Sequence, residues 1–156
     1  MFRPMRRISQ QLEMDECISI IKKSPRGTLA VLGDDDYPYT VVMNYVYHMD
    51  RIYFHGALEG HKLDSIRKHE KASFCILDEG VKKDGNWWYT FKNVICFGKV
   101  REVHDKDRIL SILKLFGDKY FPSGDVTRKE IAGHKDHTLI LEFEIEHVTG
   151  KLVNEK

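Results

Sequence analysis

A chain of 156 residues that is 42% hydrophobic and 31% charged has the size and balance of one domain, able to bury roughly two-thirds of its unfolded surface without a disulfide or metal staple. Its formal net charge of +1 makes no basic or acidic field, so nucleic-acid binding is not expected. No apolar run approaches the ~20 residues of a membrane span and the first seven residues lack the apolar core of a signal peptide, so a cytoplasmic protein with no membrane partner is expected.

Met14 to Ser24 opens with acids and closes on lysines, with Cys17, Ile20 and Ile21 on one face, which predicts a short amphipathic helix. Ser24-Pro-Arg-Gly27 breaks it. Thr28 to Leu32 then reads as a buried strand, Gly33-Asp-Asp-Asp36 as a hairpin turn, and Tyr37 to Tyr47 as its partner strand, with Pro38 tolerated only near the start. Met49-Asp50 turns the chain into Ile52 to His55. Ala72 to Leu77 is another apolar strand, and Asp78 to Asn86 a polar loop. Trp88 to Val103 reads as one long strand or two collinear ones, bent at Gly98, with Val94, Cys96 and Val100 on one face. Ile109, Ile112, Leu113, Phe116 and Tyr120 recur at helical spacing behind a candidate N-cap, Asp105. Phe121 to Asp136 is expected to be a loop with a short helix, and Thr138 to Val148 a strand with one wet face. About six strands with two or three helices and tight antiparallel connections argue a mainly β fold, an antiparallel barrel with helices against it.

The chemistry concentrates between Ile52 and His69. A short apolar strand runs through a turn holding Gly56 and Gly60 into a helix that begins near His61 and carries Lys62 in its first turn. Free N–H groups, the positive end of the helix dipole and a lysine charge together make an anion cradle. It is not a nucleotide P-loop: Gly56 to Lys62 is one residue short of G-x-x-x-x-G-K, and Leu63 stands where Ser or Thr would hold magnesium. No G-x-G-x-x-G is present, so a Rossmann dinucleotide site is not supported. Cys17, Cys75 and Cys96 show no C-x-x-C spacing and lie in apolar segments, as packing thiols do. His134-Lys-Asp-His137 and the trio His55, His61 and His69 lack companions at zinc-ligand spacing, so no metal site is expected.

Three segments carry a family resemblance: Tyr37-Pro-Tyr-Thr-Val-Val-Met-Asn-Tyr-Val-Tyr47, the Tyr53-Phe-His-Gly-Ala-Leu-Glu-Gly-His-Lys62 turn, and Asn93-Val-Ile-Cys-Phe-Gly98. From about Arg6 to Lys151 the chain resembles the nitroimidazole-resistance (Nim-type) branch of the pyridoxamine 5'-phosphate oxidase-like flavoproteins. It departs from that pattern at Asp36, where glycine is usual, and at Val42-Met43, where a proline is common. The resemblance implies a six-stranded antiparallel split barrel filling residues 1–156 as a single domain and pairing into a homodimer with FMN at the subunit interface.

It also implies site residues. Val42, Met43 and Asn44 would line the isoalloxazine through their backbone, His55, Gly56 and Ala57 would approach the ribityl chain and phosphate, and His61 and Lys62 would bind the phosphate. The partner subunit would contribute the segment from Trp88 to Asn93. Trp87, Trp88, Tyr89 and Phe91 are all candidates to stack on the flavin, with Trp88 taken as the choice. The implied activity is a flavin-dependent reductase taking electrons from a nicotinamide donor to a small acceptor such as a nitroaromatic. His55 is the candidate proton donor or acceptor-orienting group, with a structural bond to the barrel wall as its alternative role. Pyridoxamine phosphate oxidase activity itself is not expected, because the resemblance calls for C-terminal arginines and none follows Arg128. Two other readings stay open: a non-catalytic flavin-binding or redox-sensing protein, and a split barrel whose histidines bind haem or metal.

Overall fold

A computed structural model of the chain describes residues 2–134 and 137–154. Its strands are β1 (Arg26–Leu32), β2 (Pro38–Asn44), β3 (Val46–His48), β4 (Arg51–Gly56), β5 (Lys71–Leu77), β6 (Phe91–Val103) and β7 (Leu139–Val153). Four helices accompany them: α1 (Met14–Lys23), α2 (His61–Lys68), α3 (Lys106–Tyr120) and α4 (Gly124–His134). All pairings are antiparallel, in the order β2-β1-β5-β6-β7-β4-β3. β2 and β3 are one residue apart in sequence yet stand at opposite ends of that order, so the sheet curls until its two ends meet at Tyr45. This is the antiparallel split barrel expected, built from seven strands where six were counted.

The extra strand comes from a break in the segment expected to run unbroken from Tyr37 to Tyr47. The alternation of side chains carries through it, but the backbone of Tyr45 leaves the ladder. Its N–H donates to the Tyr120 hydroxyl at 3.0 Å, and its carbonyl accepts from Lys119 Nζ at 3.0 Å and from the Tyr120 hydroxyl at 2.7 Å. The Tyr45 ring is fully buried, donates its own hydroxyl to the Ile21 carbonyl at 2.6 Å, and lies 4.2 Å below the Lys119 ammonium. Burial lowers that amine to about 8, and its second bond goes to the Ser24 carbonyl at 2.8 Å. Two consecutive residues at the end of α3 thus satisfy the backbone at the corner where the barrel closes.

Inside the barrel, alternate residues of every long strand meet the buried face of α1, where Cys17 and Ile21 are the inward residues as expected. Phe54 packs edge-on against Phe74 at 5.0 Å and Phe143 at 6.5 Å between ring centroids. β6 and β7 pair over their whole lengths, which extends β7 to Val153, beyond the Val148 end expected. Their register slips once, between Phe97 and Gly98, leaving Glu146 without a partner; this bulge is the bend expected at Gly98. The cysteines are unbridged, and burial pushes the Cys96 thiol up to about 12.

A second core lies outside the barrel, where Val46, Tyr53, Val103 and Ile140 on the outward strand faces receive Ile112 and Phe116 of α3. Asp105 caps α3 as expected, its carboxylate accepting from the Arg108 N–H at 2.8 Å. The short helix expected within Phe121 to Asp136 is the eleven-residue α4, which takes up most of that segment; Lys135 and Asp136, at its end and within the His134 to His137 cluster, lie outside the described residues. α4 packs on α3 where Thr127 fits the gap left by Gly117, a place where any Cβ would overlap the threonine side chain.

The long strand expected from Trp88 starts only at Phe91. Before it the chain makes a single bridge, Val81 to Thr90, and Asp78 accepts from the backbone N–H groups of Gly80 and Lys92 at 3.1 and 2.8 Å. Trp87 and Tyr89 therefore stand in a connection with no strand beside it, 77% and 58% exposed. No helix among the described residues is long and apolar enough to cross a membrane.

Candidate functional site

β4 alternates as a strand between two cores must: Ile52 and Phe54 enter the barrel, while Tyr53 faces the outer layer and His55 turns its ring onto Phe116. Its last residues pair with β7, His55 opposite Ile140 and Gly56 opposite Leu139. The chain then leaves the sheet, passes Gly60 at φ +126°, a conformation that suits glycine, and enters α2 at His61. Leu63 and Ile66 anchor the helix in the barrel core. No side chain caps its N-terminus, so its leading N–H groups keep their capacity for a ligand.

Lys62 is the decisive side chain. Its amine lies 3.5 Å from the Met43 sulfur on β2 and over Gly56, where a Cβ would come within 3.2 Å of Nζ. Three separate elements, β2, β4 and α2, thus converge on one ammonium group. Burial pulls its pKa down, and among the described residues no carboxylate lies within 4.0 Å of it. A half-buried cation without a counter-charge is costly unless an anion completes it.

His55 stands beside this group. Its ring meets the edge of Phe116 at 4.7 Å with planes 84° apart, and its pKa is lowered, first by loss of water around the ring and second by the Lys62 charge. Although solvent still reaches the residue, it has no hydrogen-bond partner among the described residues. It also lines a cleft of about 260 Å³ between β4, α3 and α4.

The other candidates divide. Met43 is buried against Lys62, whereas Val42 and Asn44 are exposed. β2 pairs with β1 alone, so alternate backbone groups over 42–44 face away from the ladder and remain available. Gly56 and Ala57 open the turn beneath Lys62. His61 is engaged elsewhere: its ring stacks on Tyr39 at 4.2 Å, accepts from the Asp34 N–H at 3.4 Å and approaches the Asp34 carboxylate at 3.5 Å. Lys68, bonded to Asp34 at 3.0 Å, and then His61 hold that carboxyl below its usual range. Asn93 lies on β6, separated from β2 by β1 and β5 and from β4 by β7, and Trp88 lies in the connection before it. The chain by itself therefore does not gather these two with Lys62. Asn93 Oδ1 is buried without a donor among the described residues. Among the described residues no three His, Cys, Asp or Glu side chains gather as a metal site would need. Phe121, Glu130 and Ile131 around the cleft carry no signal in the sequence, and Phe116 shows there only as a packing position, because the apolar spacing of α3 marks a packing helix but not which strand it faces.

A family model described as pyridoxamine 5'-phosphate oxidase matches residues 13–152. The chain belongs to that family. The matched span runs from just before α1 to the penultimate residue of β7. A candidate 5-nitroimidazole antibiotic resistance protein from Bacteroides thetaiotaomicron superimposes with a TM-score of 0.75 at 19% identity, over 91% of this chain and 86% of that one. A FAD-binding protein from Mesorhizobium loti gives 0.67 at 20% identity, over 93% and 98%. A FAD- and haem-binding protein from Mycobacterium smegmatis gives 0.73 at 18% identity, over 94% and 74%. At these identities the likeness is one of fold. No curated protein matches the chain significantly.

Proposed function

We propose that this member of the pyridoxamine 5'-phosphate oxidase family is an FMN-dependent oxidoreductase, carrying electrons from a nicotinamide donor to a small acceptor such as a nitroaromatic. The observation that carries the reading is the Lys62 ammonium, half-buried at the β4–α2 turn over Gly56 with no carboxylate beside it. The residues present fit a flavin monophosphate. Lys62 and the uncapped start of α2 would hold the phosphate, and the free backbone edge over 42–44 would meet the pyrimidine side of the ring. His61, bound to Asp34, would join only by releasing that carboxylate. His55 would orient the acceptor or hold the proton it receives. Bound FMN would supply the two-electron chemistry that side chains lack.

Replacing Lys62 with alanine is the test. A charged hydrogen bond to phosphate contributes about 1.5–3 kcal/mol, so FMN should bind roughly one to two decades more weakly while riboflavin is little affected. Titration of both ligands into flavin-free protein reads this out, and equal losses would take Lys62 away from the phosphate. Flavin bound without donor oxidation would leave a binding module instead of an enzyme, and a haem spectrum would discard the flavin altogether.

The active unit in this reading is a homodimer. Leu77, Val81, Trp87 and Tyr89 expose 54%, 61%, 77% and 58% of their surface on the β5–β6 connection, an apolar concentration that a second copy would cover. The contact should exceed about 1,000 Å², and it would bring Trp88 and Asn93 of one copy toward the flavin of the other. Light scattering at micromolar concentration should give twice the chain mass. A monomer that still holds FMN would end the shared-site reading.

A further inference from the structure

The cleft on the outer wall of the barrel is a built feature. Gly117 and Thr127 lock α3 against α4 at a closeness no other side chain would permit at Gly117, and Thr127 is itself buried, its hydroxyl donating to the Ser123 carbonyl at 3.2 Å. The two helices are thereby held apart further along, where Leu113, Phe116, Phe121 and Ile131 form apolar walls around about 260 Å³. That volume suits a molecule of one or two rings.

Its polar groups are few: one carboxylate, two imidazoles and a hydroxyl among the described residues. Among the described residues no lysine or arginine lines the cleft. Glu130 sets a carboxylate at the rim, with His134 Nδ1 at 3.4 Å beside it, Thr138 adds a hydroxyl, and His55 lines the cleft from β4 with a ring that has no hydrogen-bond partner among the described residues. The ammonium of Lys62 lies beyond His55, on the side of the anion site. A guest in the cleft would meet aromatic walls, a carboxylate at the rim and the imidazole of His55.

We propose that this cleft seats the electron acceptor and selects flat aromatic molecules carrying a cationic or N–H-donating group, held by Glu130 at the rim with the reducible end against His55. The word acceptor rests on the function proposed above; the cleft's preference for aromatic cations does not. Phe116 and Phe121 supply the stacking surface, and Glu130 is the one lining carboxylate among the described residues. For a nitro acceptor the two-electron hydride of the nicotinamide donor, with one proton from solvent, breaks one N–O bond, so the nitro group becomes nitroso, its oxygen leaves as water and the donor is oxidised.

Benzamidine and benzoate, equal in shape and opposite in charge, are the probes. By calorimetry on flavin-free protein, benzamidine should bind roughly tenfold more tightly than benzoate, the low end of a charge-assisted hydrogen bond at a rim-exposed group. Glu130→Gln should bring the two within about threefold, and Ile131→Trp, which fills the cleft from the α4 side, should abolish both. Circular dichroism confirms that each variant is folded. Equal affinities in the wild type, or benzamidine binding that survives Ile131→Trp, would overturn the proposal. With flavin loaded, 4-nitrobenzamidine should exceed 4-nitrobenzoate in kcat/KM by a similar factor, lost in Glu130→Gln. Binding selectivity without that turnover selectivity would leave the cleft a cation site and refute its role as the acceptor seat. Loss of the Lys62 effect with the probe selectivity intact would instead fault the flavin reading.

Discussion

Gly98→Ala is expected to cost about 3 kcal/mol of stability, the upper end of what overpacking costs and a large share of the roughly 5–15 kcal/mol that holds a domain of this kind together. Gly98 sits where the β6–β7 register slips, buried in the wall of the barrel. A Cβ there would overlap the carbonyl oxygen of Glu144 and press within 2.9 Å of the Phe143 ring. The first obstacle is backbone of the neighbouring strand, not the end of a flexible side chain, so it moves only if the bulge is rebuilt. Phe143 is fully buried against Phe54 and has no room to retreat. Urea denaturation followed by far-UV circular dichroism measures the loss. Gly133→Ala, at a site in α4 with nothing within 4 Å among the described residues, is the control and should change stability by no more than about 1 kcal/mol, in the stabilising direction. A Gly98→Ala midpoint within error of that control would mean that the bulge relaxes freely.

His55→Ala is the second large expectation, on activity. If the ring serves the acceptor, the variant should keep FMN and oxidise the donor normally while consumption of a nitroaromatic slows about 10²-fold. The position supports this separation: the ring projects from the outer face of β4, has no hydrogen-bond partner among the described residues and meets Phe116 only by its edge. If His55 is instead a wall residue, the variant should melt lower or release flavin with turnover per bound FMN unchanged. An unaltered acceptor rate in flavin-loaded His55→Ala would remove it from the catalytic residues. The pH profile adds a sign. Burial and the Lys62 charge lower the His55 pKa from 6.5, so its protonated form is already lost below that pH, and any step needing it should decline as pH rises through the lowered value. For stability the unfolded chain takes up the proton first, so the His55 contribution is full above the ordinary histidine pKa and is lost as pH falls through the folded one. His55→Ala should remove both dependences.

Much of the barrel is legible in the sequence because its signals are local. Alternation marks β6 and β7, a short run of aromatic and β-branched residues marks β4, acids before lysines mark α1, Asp105 marks the start of α3, and two glycines before Lys62 mark the turn into α2. Each of these rests on dihedral preference or on neighbours within a turn or two, so no distant partner is needed to read it. The resemblance supplied the family and the split-barrel topology, which periodicity alone left open.

Tertiary structure decided the rest. Nothing near Tyr45 announces the break between β2 and β3; Lys119 and Tyr120, some 75 positions away, take its backbone hydrogen bonds. The aromatic run at Trp87 has strand-forming residues but no strand beside it, and β-propensity counts only where a partner exists. His61 and Lys62 are adjacent and both basic, yet packing sends one back to Asp34 and leaves the other over Gly56 without a counter-charge. A sequence names the charges in a turn. Which of them stays unpaired depends on whether another strand brings a carboxylate within reach, and that is settled only when β2, β4 and α2 come together.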